Sequence, residues 1–352
     1  MSSPVDRAAS PLAWRMCKML AAMLVLPALL VGCTASGTGQ GPGERRSELA
    51  AAPVRVLGLA QHHVNIALGS YHWGVGDAAE IATAAATRVS QACSGDRPAV
   101  TWLGHSSAII YIGGRCLLTD PVLEPKPSTI SPLPQRLVDM PIRVDDLPEI
   151  DAVVLSHGDY DHLHLPTMTA LARRFPKLEV LVPPGVAGFV QQAGSVRIIR
   201  PRLGAPMQFQ GLTITAERAH HETRRNLTAL KSGDAFSWVI TDGRKKILFI
   251  GDTGYGPAFR QIGRSHGPVD LVLVPIGAYE PRELVADMHV NPEEAVRIAR
   301  EVGARLAIGI HWGTFKLSPE RPSDTVHRFR HAGREMGVKA RVLPIGGTVA
   351  VP

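Results

Sequence analysis

Short apolar runs separated by turn residues fill most of the chain after residue 98. Alternating apolar and polar positions at residues 207–217 predict a half-buried strand, and the pattern at residues 165–174 predicts a helix. Residues 342–349 predict a strand that closes the chain. The pattern as a whole predicts a strand-rich α/β domain with interspersed helices over residues 99–352.

One predicted buried strand, at residues 151–155, leads directly into four side chains of the types that bind metals. They are His157, Asp159, Asp161 and His162. Two carboxylates so close to each other at the end of a buried strand would repel and would lose solvation, and a bound dication removes both problems. The alternative for this short motif alone is a solvated polar loop.

Three further predicted strands end in a histidine or an aspartate, at His221, Asp252 and His311. Four such strand ends indicate a shared edge at which the side chains converge. Because adjacent side chains on a strand point to opposite faces, only one of His220 and His221 easily reaches such a site, and the pattern alone does not decide between them.

The N-terminal segment has the features of an export signal. Arg15 and Lys18 precede an apolar run at residues 19–31, which is short for a membrane span and is followed closely by Cys33. A cysteine directly after a small residue at the end of such a run resembles a bacterial lipoprotein box. We therefore expect residues 1–32 to be a signal peptide and Cys33 to be lipidated, with an ordinary signal peptide or a membrane anchor as the alternatives.

The segments that follow predict a tether and an extension. Residues 33–47 are rich in glycine, serine and threonine and predict a flexible tether, and residues 48–98 predict an N-terminal extension that packs on the main domain. We expect a lipid-anchored protein of the bacterial cell envelope, at the outer membrane and facing the periplasm. In an exported chain Cys93 and Cys116 can pair, and the alternative for Cys116 is a buried free thiol.

The charge adds little to this picture. The formal net charge of +7 suits attraction to an anionic membrane surface. The basic residues do not form a patch interleaved with aromatic residues, so nucleic acid is not an expected partner.

Short motifs with glycine, histidine and aspartate lie at residues 104–105, 119–121, 157–162, 219–221, 251–255 and 311–315. In their order along the chain they resemble the metallo-β-lactamase superfamily. Within that superfamily the chain is similar to the N-acylphosphatidylethanolamine-hydrolysing phospholipase D group, above all at residues 251–259, 275–282 and 289–296. The resemblance covers residues 99–352 and implies a four-layer αββα sandwich with a two-metal site on one edge.

The resemblance also implies roles for single residues. It selects His221 over His220, places a bridging carboxylate at Asp252, and matches His289 to a histidine near the reacting group. The implied metal ligands are His157, Asp161, His162, His221, Asp252 and His311, and Asp159 is a further candidate because a carboxylate can also bind a metal. Asp161 and His289 are the catalytic candidates. His105 and Asp120 are interpreted as supports of the ligands, with a purely structural role as the alternative.

Asp159 departs from the family pattern, which has a histidine at this position. Two dications would then be balanced by three aspartates and one hydroxide, so the net charge of the site would be zero. The usual site of the family keeps one net positive charge. A neutral site is a weaker Lewis acid and attracts an anionic phosphodiester less strongly. We expect two divalent ions, zinc by default, with iron or manganese as alternatives at the Asp159 position because a carboxylate favours harder ions than imidazole does.

The expected function is that of a membrane-tethered, metal-dependent hydrolase in which a metal-bound hydroxide attacks a phospholipid-like phosphodiester or a small-molecule substrate. One alternative is a related ester, lactone or β-lactam hydrolase. Another is an inactive envelope lipoprotein that keeps the fold as a binding module. Tyr279, Arg282 and Met288 are candidates for the substrate entrance, and Arg224 and Arg225 are hypothesised to offset the missing positive charge.

Overall fold

The computed structural model describes residues 57–59, 61–62, 64–66, 89–123, 136–138, 142–223, 225 and 234–352. The predicted signal peptide and tether, Cys33 and Arg224 lie outside the described residues. The chain divides into two units, residues 1–71 and 72–352, and the described residues of the first unit are helical. Within the described ranges, no helix combines the length and the apolar character needed to cross a bilayer.

Two seven-stranded mixed sheets form the second unit. The first sheet has the order β14-β1-β2-β3-β4-β5-β6. Its strands are β1 (Ala99–Gly104), β2 (Ser107–Ile112), β3 (Arg115–Thr119), β4 (Ala152–Val154), β5 (Glu179–Leu181), β6 (Arg197–Ile199) and β14 (Thr348–Ala350). The second sheet has the order β13-β12-β11-β10-β9-β8-β7. Its strands are β7 (Pro206–Phe209), β8 (Leu212–Glu222), β9 (Asp234–Thr241), β10 (Lys246–Phe249), β11 (Leu271–Pro275), β12 (Leu306–Ile310) and β13 (Ala340–Arg341).

Helices flank the two sheets. They are α1 (Leu165–Arg174), α2 (Ala187–Val190), α3 (Ala258–His266), α4 (Arg282–Val285), α5 (Pro292–Glu301) and α6 (Pro322–Met336). Asn291 begins α5 with a capping box, since its side chain accepts from the backbone N–H of Glu294 while the Glu294 side chain accepts from Asn291. Three-residue 3₁₀ turns lie at Val144–Asp146, Pro184–Val186 and Gln191–Ala193.

Alternating side chains of the first sheet build two separate apolar cores. On β2, Ile110 faces the core shared with the second sheet, whereas Ile109 packs against the helical side. Val154 and Val153 of β4 divide in the same way. A strand buried on both faces shows the continuous apolar run seen in the sequence. The predicted α/β sandwich is confirmed by this arrangement of two sheets and flanking helices.

The end of the predicted extension is attached to the first sheet. Val89 and Ala92 are buried in the core on its helical side, and Cys93 forms a disulfide with Cys116 of β3. The structure therefore agrees with a disulfide between Cys93 and Cys116 and not with a buried free thiol at Cys116.

The predicted closing strand at residues 342–349 is correct only at its end. The chain forms β13 before this segment and β14 at its end, and these strands belong to different sheets. Pro344 has no N–H for a central ladder and Gly346 has a φ of 80°, so the chain turns between the sheets there.

Candidate metal centre

The carboxyl ends of several strands meet at one edge, as the sequence predicted. Parallel pairing aligns β3 with β4, and β10 with β11 and β12. Asp120 follows β3, His157 follows β4, Asp252 follows β10 and His311 follows β12. Residues 157–162, here called the ligand loop, bring further side chains to the same edge.

One group of ligand-type atoms consists of His157, Asp159 and His221. Asp159 Oδ2 lies 3.5 Å from His157 Nε2 and 3.3 Å from His221 Nε2. The second nitrogen of His221 faces the carbonyl oxygen of Met288 at 3.3 Å. His220, its neighbour on the strand, is exposed. The structure therefore brings the selected histidine, and not the other, to the ligand loop.

A second group consists of Asp161, His162 and His311, with Asp252 beside it. Asp161 Oδ2 lies 3.7 Å from His162 Nε2 and 3.8 Å from His311 Nε2. Asp252 Oδ2 lies 3.3 Å from His162 Nε2, and its Oδ1 lies 3.0 Å from His311 Nε2. Each group thus offers two imidazoles and one carboxylate, and all seven side chains predicted as ligands come together. Their role as ligands stays a prediction.

The donor atoms are arranged as a cation would require. Nε2 of His157, His162 and His311 and Oδ1 of Asp252 are buried, and none has a partner with hydrogen-bond geometry in the part of the chain described here. Buried polar atoms are normally satisfied, so a cluster of buried donor atoms without hydrogen-bond partners fits a site for an ion. Imidazole nitrogens and carboxylate oxygens are ligands for zinc, iron and manganese. The residues therefore fit a pair of divalent metal ions.

Asp120 fixes the orientation of one imidazole in each group. Its carboxylate accepts from the Ser156 backbone N–H at 2.7 Å, the Ser156 hydroxyl at 2.5 Å and His162 Nδ1 at 2.7 Å. Because the Ser156 hydroxyl gives its proton to Asp120, its oxygen accepts from His157 Nδ1 at 2.9 Å. With a metal bound, both imidazoles would therefore keep the proton on Nδ1 and offer Nε2 to the ion. The expected supporting role of Asp120 agrees with these contacts, whereas Ser156 carried no signal of its own in the sequence.

The imidazole of His105 lies closer to the centre than the position of this residue before β2 suggested. Its Nε2 donates to Asp161 Oδ2 at 2.9 Å, and its ring centroid lies 4.0 Å from that of His311. The His105 backbone N–H donates to Thr314 Oγ1 at 2.6 Å, and its carbonyl accepts from the His311 N–H at 2.9 Å. His105 therefore ties the turn after β1 to both Asp161 and His311.

His289 lies at the open side of the centre. Its Nδ1 is 3.7 Å from Asp252 Oδ2, and its ring is 5.5 Å from that of His311. Arg282 Nη1 donates to the His289 carbonyl at 2.7 Å, while Nη2 donates to both oxygens of Glu294 at 3.0 and 2.9 Å. The prediction that Arg282 lines the substrate entrance is therefore wrong for its guanidinium. The guanidinium instead holds the loop that carries His289.

Tyr279 and Arg225 also differ from their expected positions. Tyr279 is 1 % exposed, so it packs inside the domain and does not line an entrance. Arg225 is 6 % exposed and lies behind the ligand loop. In the sequence both residues lie among polar neighbours. Segments distant along the chain bury them, so no local pattern predicted their burial.

Burial and mutual charge shift the pKa values of the clustered groups in opposite directions. Burial favours the neutral form of Asp252, but His162 and His311 outweigh it and hold its pKa well below the usual range. Burial likewise disfavours protonation of His311, but Asp252 and Asp161 raise its pKa to about 9. Burial prevails at His289 and lowers its pKa to about 3. The carboxylates are therefore ionised, and His289 is neutral near pH 7.

Several residues at this edge have left-handed backbone conformations. φ is 51° at His105, 32° at Asp120, 59° at Ala278 and 60° at His311. Non-glycine residues pay for such angles in steric strain and keep them only where surrounding contacts enforce them. At His311 the enforcing contact is the bond from its N–H to the His105 carbonyl, and at Asp120 it is the set of hydrogen bonds to Ser156 and His162.

Comparisons with known proteins agree with the fold and with a metal-dependent hydrolase. A family model described as the beta-lactamase superfamily domain matches residues 115–312. An N-acyl-phosphatidylethanolamine-hydrolyzing phospholipase D of Caenorhabditis elegans is 34% identical over 62% of this chain and 64% of its own length. A metal-dependent hydrolase of Rubrobacter xylanophilus is 26% identical over 69% of this chain and 91% of its own length. The crystal structure of isothiocyanate hydrolase from Delia radicum gut bacteria superimposes with a TM-score of 0.59 at 21% identity, over 72% of this chain and 98% of that one.

Proposed function

The chain belongs to the beta-lactamase superfamily and is a metal-dependent hydrolase of that fold, and we propose that it hydrolyses phospholipid-like phosphodiesters at a two-metal centre. The observation that carries this proposal is the pair of matched groups, each with two imidazoles and one carboxylate, with Asp252 in contact with both imidazoles of the second group. The choice of phosphodiesters is supported by the similarity to the nematode phospholipase D.

The residues divide between two ions. His157, Asp159 and His221 would hold one, Asp161, His162 and His311 would hold the other, and Asp252 would serve both. When bound, two divalent ions activate water and stabilise the negative charge that develops on the substrate. Zinc suits both donor sets, and the carboxylate of Asp159 extends the choice at the first position to iron or manganese.

Side chains of the protein orient the metal ligands and the substrate. Asp120 and Ser156 hold the imidazoles of His157 and His162 with the correct nitrogen inward. Asp161 is fixed by the N–H of His105. His289, neutral and half-buried at the open side, is placed to orient the substrate or to share a proton with it through a hydrogen bond.

The proposal includes attachment to a bacterial envelope membrane, which would hold the enzyme at the surface of a phospholipid substrate. It is supported by the lipoprotein-like segment that ends at Cys33. It is supported also by the Cys93–Cys116 disulfide, because such bonds are typical of oxidising compartments outside the cytosol.

A second candidate function is hydrolysis of a neutral ester, lactone or β-lactam. Asp159 favours it, because a carboxylate in place of an imidazole lowers the positive charge that would attract a phosphodiester. The third reading, a binding module without activity, requires a chain that does not take up metal.

Metal analysis and a substrate panel separate these functions. We expect about two metal ions per chain by elemental analysis of the purified protein, and hydrolysis of a phosphodiester in preference to a lactone or a β-lactam. The Asp252→Asn variant should lose both properties. The Asp270→Asn variant is the matched control, since Asp270 binds the Lys246 N–H at the opposite end of the same strands. No metal uptake after reconstitution would leave only the binding module, and activity confined to neutral substrates would leave the second candidate.

A further inference from the structure

Arg225 lies behind the ligand loop and joins its two ends. Its Nη1 donates to the Gly158 carbonyl at 2.8 Å and to the Leu163 carbonyl at 2.6 Å. Gly158 lies near the start of the loop and Leu163 directly follows its last residue. Hydrogen bonds from a charged donor are stronger than neutral ones, so one guanidinium nitrogen restrains the whole turn that carries Asp159, Asp161 and His162.

The surroundings of the guanidinium separate it from any substrate. Its carbon lies 4.4 Å from the ring centroid of Tyr160 and 5.4 Å from that of Phe189. The Tyr160 hydroxyl donates to the Arg225 carbonyl at 3.2 Å. Thr223 Oγ1 accepts from the Gly158 N–H at 3.1 Å, and a Cβ at Gly158 would lie 2.8 Å from Thr223 Cγ2. Thr223 and Arg225 therefore pack tightly on the back of the loop.

Arg225 also brings a fixed positive charge to the first half of the centre. Burial lowers its pKa, and the nearby Asp159 carboxylate opposes that effect. An arginine side chain stays protonated in proteins. Two dications, three aspartates and one hydroxide sum to a neutral centre, so the charge of Arg225 offsets one of the three aspartate charges from outside the donor set.

We propose that Arg225 is a positioning residue that holds the ligand loop from behind and returns to the metal centre the positive charge that Asp159 removes. This keeps the hypothesis that Arg225 offsets the missing positive charge and adds the restraint of the ligand loop. Arg225 can act in this way only if the two-metal centre exists, so its role rests on the proposed function.

The restraint is tested in the metal-free protein by amide hydrogen exchange. Arg225→Gln should speed exchange in the ligand loop by about ten-fold or more, because the loop loses its charged donor. Arg225→Lys keeps one charged donor and should fall between that variant and the wild type. Arg218→Gln is the matched control, because Arg218 pairs with Asp234 on the exposed side of β8. Equal exchange in the loop of all four proteins would refute the restraint.

The charge is tested by a cycle of variants loaded with cobalt(II). The measurement is the pH midpoint of the visible cobalt spectrum, which follows the acidity of water at the centre. Asp159→His should lower the midpoint and Arg225→Gln should raise it, each by about half a pH unit or more. The double variant should return close to the wild type, because one negative and one positive charge are lost together. Arg225→Lys should leave the midpoint unchanged.

The outcomes distinguish the two proposals. A wild-type protein that takes up no metal would defeat the proposed function, and with it the role of Arg225. A metal-loaded wild type with midpoints that do not follow this order would defeat only the role of Arg225. If Arg225→Gln fails to fold, a midpoint in Arg225→Lys that moves by as much as half a pH unit would be sufficient to reject the charge effect.

Discussion

Replacement of Asp120 by asparagine should weaken metal binding without unfolding the domain. Asparagine has the shape of aspartate, and its oxygen can still accept from the Ser156 N–H. Its amide nitrogen then faces the Ser156 hydroxyl and His162 Nδ1, which both donate to the carboxylate in the native protein. His162 must move its proton to Nε2 to accept from the new donor, and a protonated Nε2 cannot bind a metal.

The size of the effect follows from the number of ligands that Asp120 supports. Loss of one outer hydrogen-bond partner typically lowers metal affinity by about 10–100-fold, or about 1.4–2.7 kcal/mol. Asp120 acts directly on His162 and through Ser156 on His157, so it supports one ligand in each half of the centre. We therefore expect both ions to bind more weakly, with a loss near the upper end of this range for the ion at His162.

A competition titration with a chromophoric chelator measures both dissociation constants, and circular dichroism checks the fold. Asp151→Asn is the matched control, because Asp151 accepts from the Cys116 N–H at 2.7 Å near the other end of β4. Its metal affinities should equal those of the wild type. Wild-type affinities for both ions in Asp120→Asn would refute the assigned tautomers and the relay through Ser156.

Four further predictions follow from the same contacts. Removal of metal should lower the melting temperature by about 5–10 °C, since ligand at about 100 times its dissociation constant adds about 2.7 kcal/mol, and scanning calorimetry checks this. Metal must displace the proton that His311 holds below its pKa of about 9, so affinity should rise with pH up to that value, with proton release measurable by calorimetry in two buffers. His289→Ala should keep its metal content but lose about a hundred-fold or more in kcat. The double variant Cys93→Ser with Cys116→Ser should have a free energy of unfolding lower by about 3 kcal/mol, because the disulfide joins residues 23 positions apart. Chemical denaturation measures this difference.

The sequence was sufficient for the strand ends and for the clustering of ligand-type side chains. Each of His157, Asp252 and His311 follows a short apolar run, and parallel pairing leaves little choice about where those runs end. A polar side chain at the end of a buried strand is thus a signal that can be read locally. The same reasoning failed at residues 342–349, where a turn separates two short strands that belong to different sheets.

The supports of the centre could not be predicted in the same way, because each depends on contacts between distant segments. His105 meets Asp161 across 56 positions of sequence, and Arg225 meets Leu163 across 62. Ser156 has no distinctive sequence context, and its role arises only because Asp120 lies opposite its hydroxyl. The pair Gly104-His105 at the end of a strand was the one signal for these supports in the sequence. The neighbouring residues did not indicate how far the imidazole of His105 extends towards the centre.

The two halves of the centre differ mainly in what contacts their carboxylates. Each half has two imidazoles and one aspartate, so the direct donors alone give little reason for the ions to behave differently. Asp161 is bound by the N–H of His105, whose pKa burial lowers to about 3, so the donor there is neutral. Asp159 instead interacts electrostatically with the guanidinium of Arg225, which bonds to the carbonyl of the preceding residue, Gly158. A positive charge near a carboxylate reduces the negative charge that it gives to its metal, so Asp159 resembles the neutral imidazole of the family pattern more closely than its formal charge suggests.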